Sequence, residues 1–227
     1  MLHLLEIKNL SQNIGIAPLN IIREYFEIEV LNELSKSNLS ERLIFYGGTA
    51  IRLTCSGERF SEDLDFIFEK QSKNDFKELS NILKNVSKKN DGVQVEEIHE
   101  KRNTLFGLLH ITNPILKHPI RIKIEISKKT HRQKTKYMMI VSPTSLLHPI
   151  IKTSTIDSLA KNKLYAIKMR NEPRDWYDLW FINKKVNSDL KPKKRFPFNH
   201  REFENELKRW LPRNHWKIIP GIISYYE

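Results

Sequence analysis

Apolar positions return along the chain in two rhythms. After Pro18, which suits a helix start, Ile22, Tyr25, Phe26, Val30 and Leu34 recur at helical spacing. The run Leu43-Ile44-Phe45-Tyr46 is closed by Gly47-Gly48. That predicts a strand breaking into a tight turn, with a helix able to start at Thr49. A second strand is predicted from Asp63 to Phe68, where Leu64, Phe66 and Phe68 alternate with Asp63, Asp65 and Ile67. Residues 73–89 predict an amphipathic helix with Phe76, Leu79, Ile82, Leu83 and Val86 as its apolar stripe. Asp91-Gly92 marks a turn, and strands are expected over 93–98, 104–112 and 119–127. The last is the clearest: Ile120, Ile122, Ile124 and Ile126 face one way, Arg121, Lys123 and Glu125 the other.

The pattern changes near Pro143. From Ser154 the rhythm is helical, with Ile156, Leu159, Lys163, Ile167 and Arg170 along one face or its edge. Pro173 interrupts it, and a further helix starts at Arg174-Asp175-Trp176-Tyr177-Asp178-Leu179-Trp180-Phe181. Residues 191–197 read as a basic, proline-broken linker, followed by a short helix over 201–210 and an aromatic tail. There is no internal repeat. The expected class is α+β: a mixed sheet in an N-terminal half, residues 1–142, and a helical C-terminal half, residues 143–227.

Composition narrows the function. Thirty-nine Lys and Arg against 27 Asp and Glu leave a formal net charge of +12, which favours polyanionic partners; a lysine-rich proteome would produce the same excess. Cys55 is the sole cysteine, so no internal disulfide or cysteine metal site can form, and a small buried hydrophobe is its expected role. The eight histidines show no metal-ligand spacing. No apolar run approaches the roughly 20 residues of a spanning helix, and the first residues lack the pattern of a secretory signal. A soluble, cytoplasmic protein with no membrane partner is expected.

The chemistry concentrates at Gly47-Gly48-Thr49 and Asp63-Leu64-Asp65. A strand ending in two glycines and a hydroxyl residue can bring backbone N–H groups close to a phosphate. Asp63 and Asp65, two apart on a strand, project to one side. Paired carboxylates repel unless a cation lies between them, and a hard divalent ion shared with substrate phosphates is the natural one. Glu125, flanked by Ile124 and Ile126, offers a third acid from another strand. The bland alternative is a surface Asp pair beside a turn.

These residues carry a family resemblance. Gly47-Gly48-Thr49-Ala50, then Arg59-Phe60-Ser61-Glu62-Asp63-Leu64-Asp65-Phe66, resembles the nucleotidyltransferases of the AbiEii/AbiGii toxin type, within the DNA polymerase β-like superfamily. Thirteen residues, 50 to 62, separate Thr49 from Asp63, at the long end of the superfamily pattern. Arg23-Glu24-Tyr25-Phe26, the Lys163-Leu164 helix and Arg174-Asp175-Trp176-Tyr177-Asp178-Leu179 are similar to further family motifs, so the likeness spans about residues 20 to 182. Two positions depart: Glu125 stands where the superfamily usually has Asp, and Lys161-Asn162 precede Lys163 where an acidic residue is commoner.

The resemblance implies a polymerase β-like fold and transfer of a nucleoside monophosphate from an NTP to an acceptor hydroxyl. It implies Mg²⁺, or Mn²⁺ in its place, held by Asp63, Asp65 and Glu125. Gly47, Gly48 and Thr49 would contact the β- and γ-phosphates, and Lys163 would neutralise the triphosphate. Arg59 and Ser61 lie next to the acids; Arg59 could stabilise transition-state charge or pair with Asp65. Asp178 could form an i,i+4 salt bridge with Arg174, or share a face with Asp175 that orients Lys163 as part of the catalytic set or meets the nucleobase. The implied setting is the toxin of a type IV toxin–antitoxin or abortive-infection system, with a cognate antitoxin and an RNA acceptor such as tRNA. The rival readings are a catalytically silent relative that binds nucleic acid or a partner protein, and an enzyme that nucleotidylates a protein or small molecule.

Overall fold

The computed structural model describes residues 3–129 and 133–227. In chain order the elements are α1 (Leu4–Ile14), α2 (Pro18–Ser35), β1 (Leu43–Tyr46), α3 (Gly47–Thr54), β2 (Asp63–Phe68), α4 (Asp75–Lys89), β3 (Val93–Glu100), β4 (Thr104–Ile111), β5 (Ile120–Ser127), β6 (Thr135–Met139), β7 (Ile150–Ser154), α5 (Ile156–Met169), α6 (Pro173–Val186), α7 (His200–Lys208) and α8 (Ile219–Tyr226). The class is α+β, as the pattern predicts.

Seven strands form one mixed sheet in the order β3-β4-β5-β2-β1-β7-β6. β2 lies at its centre, antiparallel to β1 and parallel to β5. In β5 the isoleucines 120, 122, 124 and 126 are buried while Lys123 and Glu125 are only partly covered. The same alternation in β2 buries Leu64, Phe66 and Phe68. These apolar rows form one face of the sheet, against which α2 and α4 pack. α4 lies close: a Cβ added to Gly107 on β4 would stand 2.5 Å from Leu83 Cδ1. The other face at β2 and β5 carries Asp63, Asp65 and Ile67 from one strand and Arg121, Lys123, Glu125 and Ser127 from the other.

Several elements differ from the pattern. α1, β6 and β7 are not among the predicted elements, although α1 sets Ile7, Leu10 and Ile14 at helical spacing against the core. β7 pairs in parallel with β1 through Phe45 and Thr153, so the segment after residue 143 completes the sheet as well as supplying helices. Pro173 is the first residue of α6, where its missing N–H costs nothing. Phe76 is 40% exposed and does not join the buried stripe of α4. The tail is helical as α8, and Phe196, Phe198, Phe203, Trp176 and Tyr226 form an aromatic cluster beneath α6 and α7.

Candidate active site

Strand register brings the acids together. Asp65 on β2 is the direct partner of Glu125 on β5 and of Tyr46 on β1, and Asp63 is the partner of Lys123. Residues of one register position point to one face, so Asp63, Asp65, Lys123 and Glu125 share the uncovered side of the sheet. A cleft of about 380 Å³ opens there, walled by α5, the start of α6 and the β1–α3 turn. It reaches Gly47, Gly48, Arg59, Ser61, Asp63, Asp65, Glu125 and Lys163, bringing eight residues of the expected site together.

The glycine turn sits hard against the acids. Gly47 has φ +84°, and a Cβ there would lie 2.3 Å from Asp65 Oδ2. A Cβ on Gly48 would lie 2.4 Å from Arg59 Nη2 and 2.8 Å from Ser61 Oγ. Only glycine allows this approach. α3 begins at Gly47, so its first N–H groups, unpaired within the helix, lie beside the cleft. Thr49 differs from expectation. Its side chain is buried and donates its hydroxyl to the Asp63 carbonyl at 2.5 Å, so it fixes β2 to α3 and does not line the cleft.

The acids repel as their spacing predicts. Burial raises the Asp65 carboxyl, with Asp63 and Glu125 adding to the effect against the pull of Lys123 and Lys163, and it is pushed up to about 6. Burial also raises Asp63, opposed by Lys123. Lys123 Nζ lies 3.1 Å from Asp63 Oδ2 and 3.5 Å from Glu125 Oε2. Two desolvated aspartates whose ionised forms are disfavoured fit a hard cation, which would restore their charged forms. Among the described residues no three His, Cys, Asp or Glu side chains converge as a ready-made metal cage; Glu125 is instead engaged by Lys123.

Behind the cleft lies a chain of buried ion pairs. Lys163 is 6% exposed, so it is not a solvated lysine. Its Nζ stands 2.8 Å from Asp175 Oδ1 and 2.6 Å from Asp178 Oδ2. Asp178 also accepts two bonds from Arg59, Nε at 2.8 Å and Nη2 at 2.9 Å. Arg59 therefore pairs with Asp178 and not with Asp65. Asp178 lies behind the cleft wall, buried, and reaches the site only through Arg59 and Lys163. Arg170 donates to both oxygens of Asp175, at 2.8 and 3.2 Å. Burial alone would raise Asp175, but Lys163 and Arg170 hold it down to about 2. Arg174 turns to Glu62 at 2.9 Å, so the i,i+4 pair with Asp178 does not form. Glu24 likewise acts within the fold: it takes Arg52 of α3 at 2.7 Å and the Ser142 hydroxyl at 2.6 Å.

Lys123 is the cleft residue whose importance the pattern hides, because an exposed-side lysine on an alternating strand looks ordinary. Arg170 and Arg174 also line the cleft, together with Tyr46, Asn162, Tyr165 and Met169. Tyr165 and Met169, four apart on α5, are 63% and 64% exposed at the rim. Phe196, by contrast, is edge-on to Trp176 at 5.4 Å and to Phe203 at 5.0 Å, so it packs within the fold.

The sequence model of the family described as "Nucleotidyl transferase AbiEii toxin, Type IV TA system" matches residues 29–215. An uncharacterized protein of Aquifex aeolicus (strain VF5), aq_aa25, is 25% identical over 199 residues, covering 88% of this chain and 81% of that protein. Among solved structures, MenT4, the nucleotidyltransferase toxin Rv2826c of Mycobacterium tuberculosis H37Rv, aligns over 100% of this chain and 90% of its own, with TM-score 0.57 and 15% identity. JHP933 of Helicobacter pylori aligns over 93% of this chain and 80% of its own, with TM-score 0.55 and 20% identity. These structural likenesses establish a shared fold. No helix among the described residues is long and apolar enough to cross a membrane.

Proposed function

Because the chain belongs to the AbiEii toxin family of nucleotidyltransferases, we propose that it transfers a nucleoside monophosphate from an NTP to an acceptor hydroxyl and releases pyrophosphate. The observation that carries this reading is the convergence of Asp63 and Asp65 with the Gly47-Gly48 turn and a cationic wall in one cleft. Asp63 and Asp65 would hold Mg²⁺ or Mn²⁺, with Glu125 as the third acid. The bound ion supplies charge neutralisation on the triphosphate and lowers the pKa of the attacking hydroxyl.

The chain's own groups do the rest. The N–H groups opening α3 bind and orient phosphate oxygens, since nothing within the helix uses them. Arg59, held rigid by Asp178, keeps positive charge against Gly48, beside those oxygens. Lys163, Arg170 and Arg174 line the side of the cleft where the leaving pyrophosphate would lie, their donors held in place by the Asp175, Asp178 and Glu62 pairs. Glu125, across from Asp65, accepts the proton of the attacking hydroxyl. Tyr165 and Met169 give a base an apolar ledge at the rim.

The acceptor in this reading is RNA, with tRNA ends as a fitting class, and the protein is the toxin partner of a cognate antitoxin. The +12 charge supports a polyanionic acceptor. The test incubates the protein with labelled NTPs, Mg²⁺ and total RNA, and in parallel with protein and small hydroxyl compounds. Label should enter RNA. Asp63→Ala and Asp65→Ala should each abolish transfer while retaining a cooperative thermal transition. Undiminished turnover in Asp63→Ala would overturn the mechanism, and label in protein or small molecules alone would overturn the RNA acceptor.

A further inference from the structure

Lys123 occupies the position where the acidic cluster most needs positive charge. The register places it directly across from Asp63, and it lies two residues before Glu125 on the same face of β5. The buried Ile122 and Ile124 lock that strand and aim Lys123 at the cleft. Its ammonium therefore reaches carboxylates on two adjacent strands, 3.1 Å from one and 3.5 Å from the other. Asp65 makes no ion pair among the described residues, and its Oδ2 rests against Gly47. One acid of the trio is left open while the other two share a lysine.

We propose that Lys123 is a built-in counter-cation of this cluster that competes with a divalent ion for Asp63 and Glu125. This rests on reading those carboxylates as cation ligands. A monovalent ammonium on a flexible stem satisfies the acids when no metal is bound. Its side chain is 36% exposed, so it can withdraw into solvent at small cost in packing. Divalent binding then has to displace a point charge already in place. The consequence is a site whose acids stay ordered without metal and whose intrinsic metal affinity is held down. Full occupancy then requires the added negative charge of a bound triphosphate, so Lys123 couples metal entry to substrate entry.

The test is a Mn²⁺ titration without nucleotide, reading free Mn²⁺ by electron paramagnetic resonance. Lys123→Met should bind Mn²⁺ about tenfold more tightly or better than the wild type, because one more carboxylate charge is left uncompensated close to the ion. Lys123→Arg, which keeps the charge, should stay within a few-fold of the wild type. Mn²⁺ should also raise the melting temperature of Lys123→Met by more than that of the wild type. Should Lys123→Met fold poorly, Lys123→Gln serves in its place. Equal or weaker Mn²⁺ binding by a folded Lys123→Met or Lys123→Gln overturns the proposal. The readout needs no turnover: a protein that transfers no nucleotide yet shows tighter binding in Lys123→Met contradicts the transferase reading alone.

Discussion

At the scale of single residues, the site depends on what Gly47 lacks. Its φ of +84° is unfavourable for any side chain, and a Cβ would lie 2.3 Å from an Asp65 carboxylate oxygen. Gly47→Ala should therefore cost about 1–3 kcal/mol from the left-handed backbone alone, with the displaced carboxylate removing transfer activity as well. Urea unfolding and the labelled-NTP assay read the two effects. Gly221→Ala is the control: nothing outside its own helix and chain neighbours lies within 4 Å of its added Cβ, and in the first turn of α8 alanine should be neutral or stabilising by less than the roughly 1 kcal/mol of a helix interior. Gly47-Gly48 was legible as a turn followed by a helix. The contacts that forbid a side chain were not, because Asp65 and Arg59 approach only after β1 and β2 pair.

At the scale of elements, α5 and α6 are joined through charge. Lys163 lies between Asp175 and Asp178, with Arg59 and Arg170 closing the two ends. Asp175 is almost fully buried, and its carboxyl falls from an ordinary 3.8 to about 2. A depressed carboxyl stabilises the fold above its unfolded value and loses that contribution as pH falls through the folded one. The wild type should therefore lose stability between about pH 4 and pH 2, by about 2 kcal/mol from this group. Asp175→Asn should be less stable at pH 7 and should show a shallower fall over that acid window, measured by urea midpoints at each pH. The i,i+3 spacing of Asp175 and Asp178 showed that both could share a helix face. Their choice of Lys163 and Arg59 over Arg174 follows from burial: α6 packs on α5 there, while Arg174 faces Glu62 and lies 5.3 Å over the Trp210 ring.

At the scale of the whole molecule, one basic stretch of the C-terminal half exposes Lys184, Lys185, Lys191, Lys193, Lys194, Arg195 and Arg201. They flank the aromatic cluster at the end of α6, and Lys184 and Lys191 lie over the Tyr225 ring at 4.9 and 4.4 Å. If this surface holds an RNA backbone, log affinity should fall linearly with log salt, by about 0.7 to 0.9 per phosphate neutralised. Reversing Lys193, Lys194 and Arg195 to Glu should flatten that slope and weaken RNA binding while leaving NTP affinity unchanged. Fluorescence anisotropy across a salt series reads both. A flat wild-type slope would mean that these lysines are only a solvated surface.

Alternation in β5, and in β2 up to Phe66 before the buried Ile67 breaks it, placed Asp63, Asp65, Lys123 and Glu125 on the polar sides of the two strands, because period-2 burial sends every second residue to one face. Proline positions and the glycine turn likewise marked where α2, α3 and α6 begin. β6 and β7 escaped notice because each is a five-residue segment with exposed apolar residues, stabilised by pairing across the sheet rather than by its own pattern. Tertiary structure alone decided that β2 lies between β1 and β5, which sets Asp65 opposite Glu125. It also decided that Lys123 meets two acids, that Arg59 meets Asp178 across 119 positions of sequence, and that Thr49 turns away to bind the backbone of β2. Those pairings are long-range. Local rhythm reports which side of an element is buried, whereas the partner of a charge is set by which strands and helices come to lie side by side.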